Sequence, residues 1–405
     1  MIYFLAEDLD GKDGASRAAA DCLHDLLHLG RPIVVVARHR SVLPPRADGE
    51  RSPSVRWLLV PKTDPPSRRG LGVFPWRWLW WARAMLEHVR RHRRAVALPR
   101  RFPPTLSIHN EFPYPGSLAH RVLHMAPHSM ILVHSSRDGI EYYLRGRKTL
   151  TTQLVSRELA SVEGLMFVSP QLRDDWAGAA DLAHVRQWVL SNTCREDEAA
   201  AVLPVDRGAL RAGVGLAPDR FVAACVGYVH DGKGQDVLVA ALPAMVRAVP
   251  NLLVVFVGDD RSEWAGHLKS TIRELGLSDH VLFTGLRPDP YAFIRASDLL
   301  IHPSRAEGQG LVLLEAMLLQ TPVLASNVGG IPSVVTHEET GWLVPPGDPD
   351  ALLDGFTRLA RDAELRRTLA AQAERVYWSR FQRAEHRRRF LEIVDEMTNV
   401  GLNPS

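Results

Sequence analysis

The chain has 405 residues, 46% of them hydrophobic, and a formal net charge of +3. That is enough apolar material for two cores and too much chain for one ordinary domain, and so small a charge gives no overall pull toward nucleic acid. Three widely separated cysteines, Cys22, Cys194 and Cys225, make no metal-ligand spacing and point to a reducing compartment. The opening MIYFLAED lacks a basic leader, and no run reaches membrane-spanning length, so a cytoplasmic, non-spanning protein is expected.

In chain order, Ile2 to Ala6 reads as a buried strand, Glu7 to Ser16 as a loop with Gly11 and Gly14, Arg17 to Leu29 as a helix, and Ile33 to Ala37 as a second strand. Strand, glycine loop, helix, strand is the opening of a parallel doubly wound sheet. A Pro-, Arg- and Ser-rich stretch from Leu43 to Arg69 reads as loop around a strand near Val55 to Val60. Residues 74–94 then interleave Phe74, Trp76, Trp78, Trp80 and Trp81 with arginines. Tryptophan and arginine on an amphipathic helix suit an anionic membrane surface, while packing of the aromatic side into the core is the competing reading.

Leu106 to Asn110 and Met130 to Ser136 read as short strands, each carrying a histidine near its carboxyl end, His109 and His134. In an open parallel sheet those ends face the ligand crevice. Leu154 to Ser161 reads as helix, Leu165 to Ser169 and Val185 to Leu190 as strands, and the acidic, Ala-rich Arg195 to Ala201 as a linker. A second unit then opens like the first, with strand Phe221 to Val226, loop Gly227 to Gly234 and helix Gln235 to Ala248. Strands follow at Leu252 to Val257, His280 to Phe283 and Leu299 to Ile301.

The stretch from Ser297 to Pro332, SDLLIHPSRAEGQGLVLLEAMLLQTPVLASNVGGIP, is the most informative. Pro303 and Ser304 break a buried strand, Gly308 and Gly310 allow close backbone approach, and a helix follows in which every side chain from Leu311 to Leu319 except Glu315 is apolar. A carboxylate there needs a donor or a cation: a ligand hydroxyl, or an Arg or Lys on a neighbouring helix. The peptide N–H groups from Gly308 through Gln309 and Gly310 to Leu311 and Val312 lie at the positive end of this helix, which is an anion site. Phosphates for the helix end and hydroxyls for Glu307 and Glu315 together describe a sugar nucleotide.

These residues, with Pro322-Val323 and Gly329-Gly330-Ile331, resemble the E-x7-E signature of retaining GT-B glycosyltransferases of family 4. The resemblance implies an α/β fold of two doubly wound Rossmann-like domains facing across a cleft. Residues 1–193 would bind acceptor, 194–376 the nucleotide sugar, and 377–405 would form a helix returning to the first domain. It implies transfer of a sugar from a UDP- or GDP-linked donor to a hydroxyl acceptor with anomeric retention, no cofactor and no metal. Glu307 would hold donor sugar hydroxyls, Glu315 the ribose, and Lys233 the diphosphate. Ser304, Gly308, Gln309, Gly310, Leu311 and Val312 would line the donor site. Gly14 falls where a glycine pair is common, His134 matches the family's active-site histidine, and His109 with Asn110 lines the acceptor side.

Departures stand out as well. Tyr228 occupies a place where an arginine is usual, which leaves one cation fewer for the leaving diphosphate, and Arg287 could compensate or border the base pocket. Gln309 replaces a common aromatic, Gln320 a glycine and Ser333 a glutamate. Gly258-Asp259-Asp260 invites a metal reading that the resemblance does not support. A lipid-linked or glycan acceptor suits the Trp/Arg stretch, and a soluble one suits the packing alternative. An epimerase or phosphorylase of the same fold, or a non-catalytic sugar-nucleotide-binding subunit, are the rival functions. A guanidinium already on Glu315, in a gap shut to nucleotides, would count against transfer.

Overall fold

The computed structural model describes residues 1–6, 14–37, 55–59, 104–110, 126–134, 159, 162–177 and 182–398. The Trp/Arg stretch at 74–94 and the first glycine loop before Gly14 lie outside these residues, as does the helix expected from Leu154 apart from Leu159.

The first domain contains β1 (Ile2–Leu5), α1 (Gly14–Leu26), β2 (Ile33–Ala37), β3 (Val55–Leu59), β4 (Leu106–Asn110), β5 (His128–Val133), β6 (Gly164–Phe167), α2 (Pro170–Ala177) and β7 (Arg186–Val189). Its seven strands form one parallel sheet in the order β3-β2-β1-β4-β5-β6-β7. Continuous Val, Ile and Leu runs fit a sheet buried on both faces. Ile2, Phe4, Leu106, Ile108, Met130 and Leu132 meet α1 on one face, whereas Ile131, Val133 and Phe167 pack with Leu172 and Trp176 of α2 on the other.

The acidic segment expected as the linker after Asn192 is helical. It forms α3 (Glu196–Val202), because three carboxylates in its first turn oppose the positive helix end and three alanines follow. The second domain continues with α4 (Arg207–Gly213), β8 (Phe221–Val226), α5 (Gln235–Ala248), β9 (Leu252–Val257), α6 (Glu263–Glu274), β10 (Val281–Phe283), α7 (Pro290–Ala296), β11 (Leu299–His302), α8 (Leu311–Leu318), β12 (Val323–Ser326), β13 (Trp342–Val344), α9 (Pro349–Arg361) and α10 (Ala363–Arg380). Its six strands are parallel in the order β10-β9-β8-β11-β12-β13. In both sheets the order reverses beside the first strand, at the switch point where ligands of such folds bind. Gln320, in the glycine-like place after α8, adopts a left-handed φ of 54°.

The C-terminal tail is two helices rather than one. Tyr377 and Ala373 of α10 are buried in the second domain, the chain breaks at Phe381-Gln382, and α11 (Arg383–Thr398) buries Phe390, Ile393, Val394 and Met397 in the first. Glu196 fixes the break: its carboxylate accepts from the Arg383 peptide N–H at 2.6 Å and from the Tyr377 hydroxyl at 3.1 Å.

Candidate active site

Three loops of the second domain are stitched together first. Gly234, at φ 65°, lets the Pro303 carbonyl lie where a Cβ would be, and the Arg305 peptide N–H donates to Gly232 O at 3.0 Å. Beneath the Glu307–Gly310 turn, Gly329 lies against the Glu307 carbonyl and Gly330 against that of Gly308. The turn itself touches the first domain. Gly308 packs on the carbonyl of His134, directly after β5, and its own carbonyl accepts from Ser169 Oγ at 2.9 Å.

This framework gathers Lys233, His302, Ser304 and Glu307. One oxygen, Glu307 Oε2, receives Lys233 Nζ at 2.6 Å and lies 3.0 Å from His302 Nε2 and 3.4 Å from Ser304 Oγ. Burial on its own would raise the Glu307 carboxyl. The Lys233 charge and the His302 bond outweigh it and hold the group well below the usual carboxylate range. Glu307 is therefore an anion at any physiological pH, and Lys233 is poised beside the start of α8.

Glu315 is the correction to an acid left waiting for a ligand. Its carboxylate, 3% exposed, is bound at 2.8 Å by Arg17 Nη1 from α1 of the first domain, and the Arg17 guanidinium also lies 5.9 Å from the Tyr291 ring centre. The neighbouring carboxylate drives the Arg17 pKa still higher. The cation considered as the alternative partner is thus present, and it comes from across the domain boundary.

The other expected residues are placed as follows. Gly14 opens α1, three residues before Arg17. His134 stands at the carboxyl end of β5, and burial, aided by the charge of His386, lowers its pKa to about 4, so its ring is neutral at pH 7. His109 is one residue short of the end of β4, buried beside Ile131 in register, and Asn110 ends the strand half-buried. Tyr228 is 46% exposed. Arg287 is engaged by Asp289 through two bonds of 2.9 and 3.0 Å and is not drawn to the Lys233 loop. Gln309 is buried, and its Oε1 accepts from the Asn192 peptide N–H at 2.7 Å, so it ties the turn to the domain connection. Gly310, at φ 86°, caps α8, and Leu311 and Val312 form its half-buried first turn.

Asp259 and Asp260 are paired with Arg261 and with Lys269. Among the described residues, no group of three or more His, Cys, Asp or Glu is arranged to hold a metal.

Arg17, His302 and Ser169 were not anticipated. His302 ends β11 in the way that His134 follows β5, so the strand-end rule could have found it. Arg17 and Ser169 carry no local signal, since their partners are far away in sequence.

A family model for glycosyl transferases group 1 matches this second domain. The match covers residues 206–376. A D-inositol 3-phosphate glycosyltransferase of Jonesia denitrificans is 35% identical over 189 residues, 44% of this chain and 45% of that protein. The lipopolysaccharide core biosynthesis mannosyltransferase LpsB of Rhizobium meliloti is 33% identical over 164 residues, 39% of this chain and 47% of its own length. Each match thus spans less than half of the relative. The crystal structure of Anabaena HepE in complex with UDP-glucose superposes with a TM-score of 0.75 at 20% identity, covering 98% of this chain and 99% of that one. The fold is therefore that of the GT-B glycosyltransferases, two parallel-sheet domains joined by a returning C-terminal helix.

Proposed function

We propose that the protein is a glycosyltransferase that moves a sugar from a nucleoside diphosphate to a hydroxyl acceptor with its anomeric configuration retained, in the assembly of a cell-surface polysaccharide or glycolipid. The observation that carries this reading is the Lys233–Glu307–His302 cluster set against the amino end of α8, inside the segment matched by the family. Lys233 and the peptide N–H groups from Gly308 to Val312 stabilise charge on the departing diphosphate, the largest electrostatic change along the reaction. Glu307 accepts from donor sugar hydroxyls, and Glu315 from the ribose once its guanidinium has moved.

His134, neutral at pH 7, orients sugar or acceptor hydroxyls rather than carrying charge. Among the described residues no carboxylate is placed as an obvious covalent nucleophile, so the acceptor attacks the face the diphosphate leaves, and a phosphate oxygen takes its proton. HepE was crystallised with UDP-glucose and LpsB is named for lipopolysaccharide core synthesis, which supports a nucleotide-sugar donor and a glycan or lipid-linked acceptor. We place the protein in the cytoplasm, peripheral to the inner face of the membrane through residues 74–94; flotation with anionic but not neutral liposomes tests that location. No described helix is long and apolar enough to cross a membrane.

The deciding experiment is a melting-temperature screen against UDP- and GDP-sugars, followed by release of nucleoside diphosphate with and without hydroxyl acceptors and NMR of the product anomer. Acceptor-dependent release with retention is expected. Absence of both binding and release would overturn the proposal. The Arg17–Glu315 pair and Tyr228 favour one second reading, a sugar-nucleotide-binding subunit, for which tight binding without turnover is the signature.

A further inference from the structure

Resting on the donor site proposed above, the geometry points to Arg17 as the second cation for the leaving diphosphate, held by Glu315 and delivered from the first domain when ribose takes its place. Lys233 is the only Lys or Arg between Gly227 and Gly234, and the place of a second loop cation is held by the phenol of Tyr228. Arg305, which touches this loop at Gly232 and Asp231, is committed to Asp236 by bonds of 2.6 and 2.7 Å, and Arg287 is committed to Asp289 by two bonds. A diphosphate carrying about two negative charges, met by one ammonium that also neutralises Glu307, leaves charge uncompensated at a partly buried site.

Arg17 meets the need by position and by chemistry. It projects from the first turn of α1, and its carboxylate partner lies five residues beyond Gly310, about 7.5 Å along α8 from the peptide N–H groups of the anion site. The ribose hydroxyls and the Arg17 guanidinium are both donors, and they compete for the Glu315 carboxylate. When the hydroxyls take it, the guanidinium leaves a monoanion within reach of a dianion, which it can bind through two parallel N–H bonds. The exchange leaves neither a buried carboxylate nor a guanidinium without a partner, and it draws α1 toward the donor as the ligand enters. Neither step needs a residue that the structure does not supply.

The proposal predicts opposite effects on two ligands that differ only in their phosphates. Wild type, Arg17→Met, and Arg17→Met with Tyr228→Arg are titrated calorimetrically with UDP and uridine and, in parallel, with GDP and guanosine. Arg17→Met should bind the nucleoside at least as tightly as wild type, since its competitor for Glu315 is gone. It should bind the nucleoside diphosphate about tenfold or more weakly, since a charge-assisted pair is lost. Tyr228→Arg in that background should restore most of the diphosphate affinity by putting a cation back on the loop.

Equal weakening of both ligands, or no change in either, would overturn the proposal. So would loss of diphosphate affinity that Tyr228→Arg does not restore, because Arg17 would then be a structural tie. Should Arg17→Met fail to fold, Arg17→Lys read against the same pair of ligands keeps the test. A shorter ammonium without the paired geometry should lower the ratio of diphosphate to nucleoside affinity, and an unchanged ratio would count against the proposal. If the wild type binds none of the four ligands, the donor site itself falls, an outcome distinct from any pattern among the variants.

Discussion

At the scale of single residues, one carboxylate oxygen organises the candidate site. Glu307 Oε2 is shared by an ammonium and an imidazole, so Lys233→Met would leave the acid largely buried with His302 as its main partner. We expect turnover to fall about 10²-fold or more with a smaller change in donor affinity, read from kcat against KM. A pH effect on stability follows from the same pair. The folded-state pKa of Glu307 lies below its ordinary value of 4.5, so the stabilisation is fully present above that pH and fades as the pH falls below it. Melting temperatures taken from pH 7 down to 3 should therefore drop more steeply in wild type than in Lys233→Met.

His134 acts in a higher window. Its folded pKa of about 4 lies below the ordinary 6.5, so the unfolded chain binds the extra proton between these values and stability declines as the pH falls from 6.5 to 4. His134→Gln should flatten that part of the curve. Lys233, Glu307 and His134 were legible in the sequence because each stands at a strand end or beside a glycine, where the chain must turn toward the ligand. Arg17 was not legible: nothing within α1 distinguishes a guanidinium that meets Glu315 of the other domain from a solvated one.

At the scale of elements, the turn ahead of α8 is held by backbone packed on backbone. Gly330 shows the cause clearly, because its φ of −80° and ψ of −3° are open to any residue, yet a Cβ there would strike the Gly308 carbonyl and come within 2.7 Å of Ser169 Oγ. Gly330→Ala should therefore act through contact alone, costing about 1–3 kcal/mol and displacing the turn that carries Glu307. Activity should fall by at least about tenfold. Ser169→Ala is the matched control. It removes the bond to Gly308 O and the bond that Ser169 Oγ accepts from the Leu172 peptide N–H at the start of α2, without adding bulk, and should cost about 1–2 kcal/mol. Equal effects of the two on activity would mean that the turn is placed by the hydrogen bond and not by the glycine. Such elements read well from sequence where runs of β-branched residues met glycines, as at Phe221 to Val226 and Leu252 to Val257. They read poorly where end effects decide: the acidic stretch at Glu196 is helical because of its charge at the helix start, and the tail breaks at Phe381-Gln382, where no proline or glycine announces it.

For the whole molecule, the two domains are held by a clasp that sequence order hides. Asp25 of α1 has no exposed side-chain surface, and its carboxylate accepts from Arg383 Nη2 at 2.8 Å and Arg387 Nε at 3.1 Å, with His386 Nδ1 3.5 Å away. Burial opposes the charge, but the adjacent His386 and the charge of Arg383 prevail and keep the carboxyl below its ordinary range. Arg383 also opens the helix that crosses from the second domain, so this cluster locks α11 onto α1, and α1 is the same helix that sends Arg17 to Glu315. Asp25→Ala would leave two guanidinium groups facing an emptied, buried position, which costs about 3–5 kcal/mol. Because that loss falls on the docking of α11, the first domain should melt separately and lower, by on the order of 10 °C, while the second holds its transition. Differential scanning calorimetry reads this directly. A single transition unshifted from wild type would show that Phe390, Ile393, Val394 and Met397 hold the crossing helix in place by apolar burial alone, with the buried charge contributing nothing to how the domains are held together.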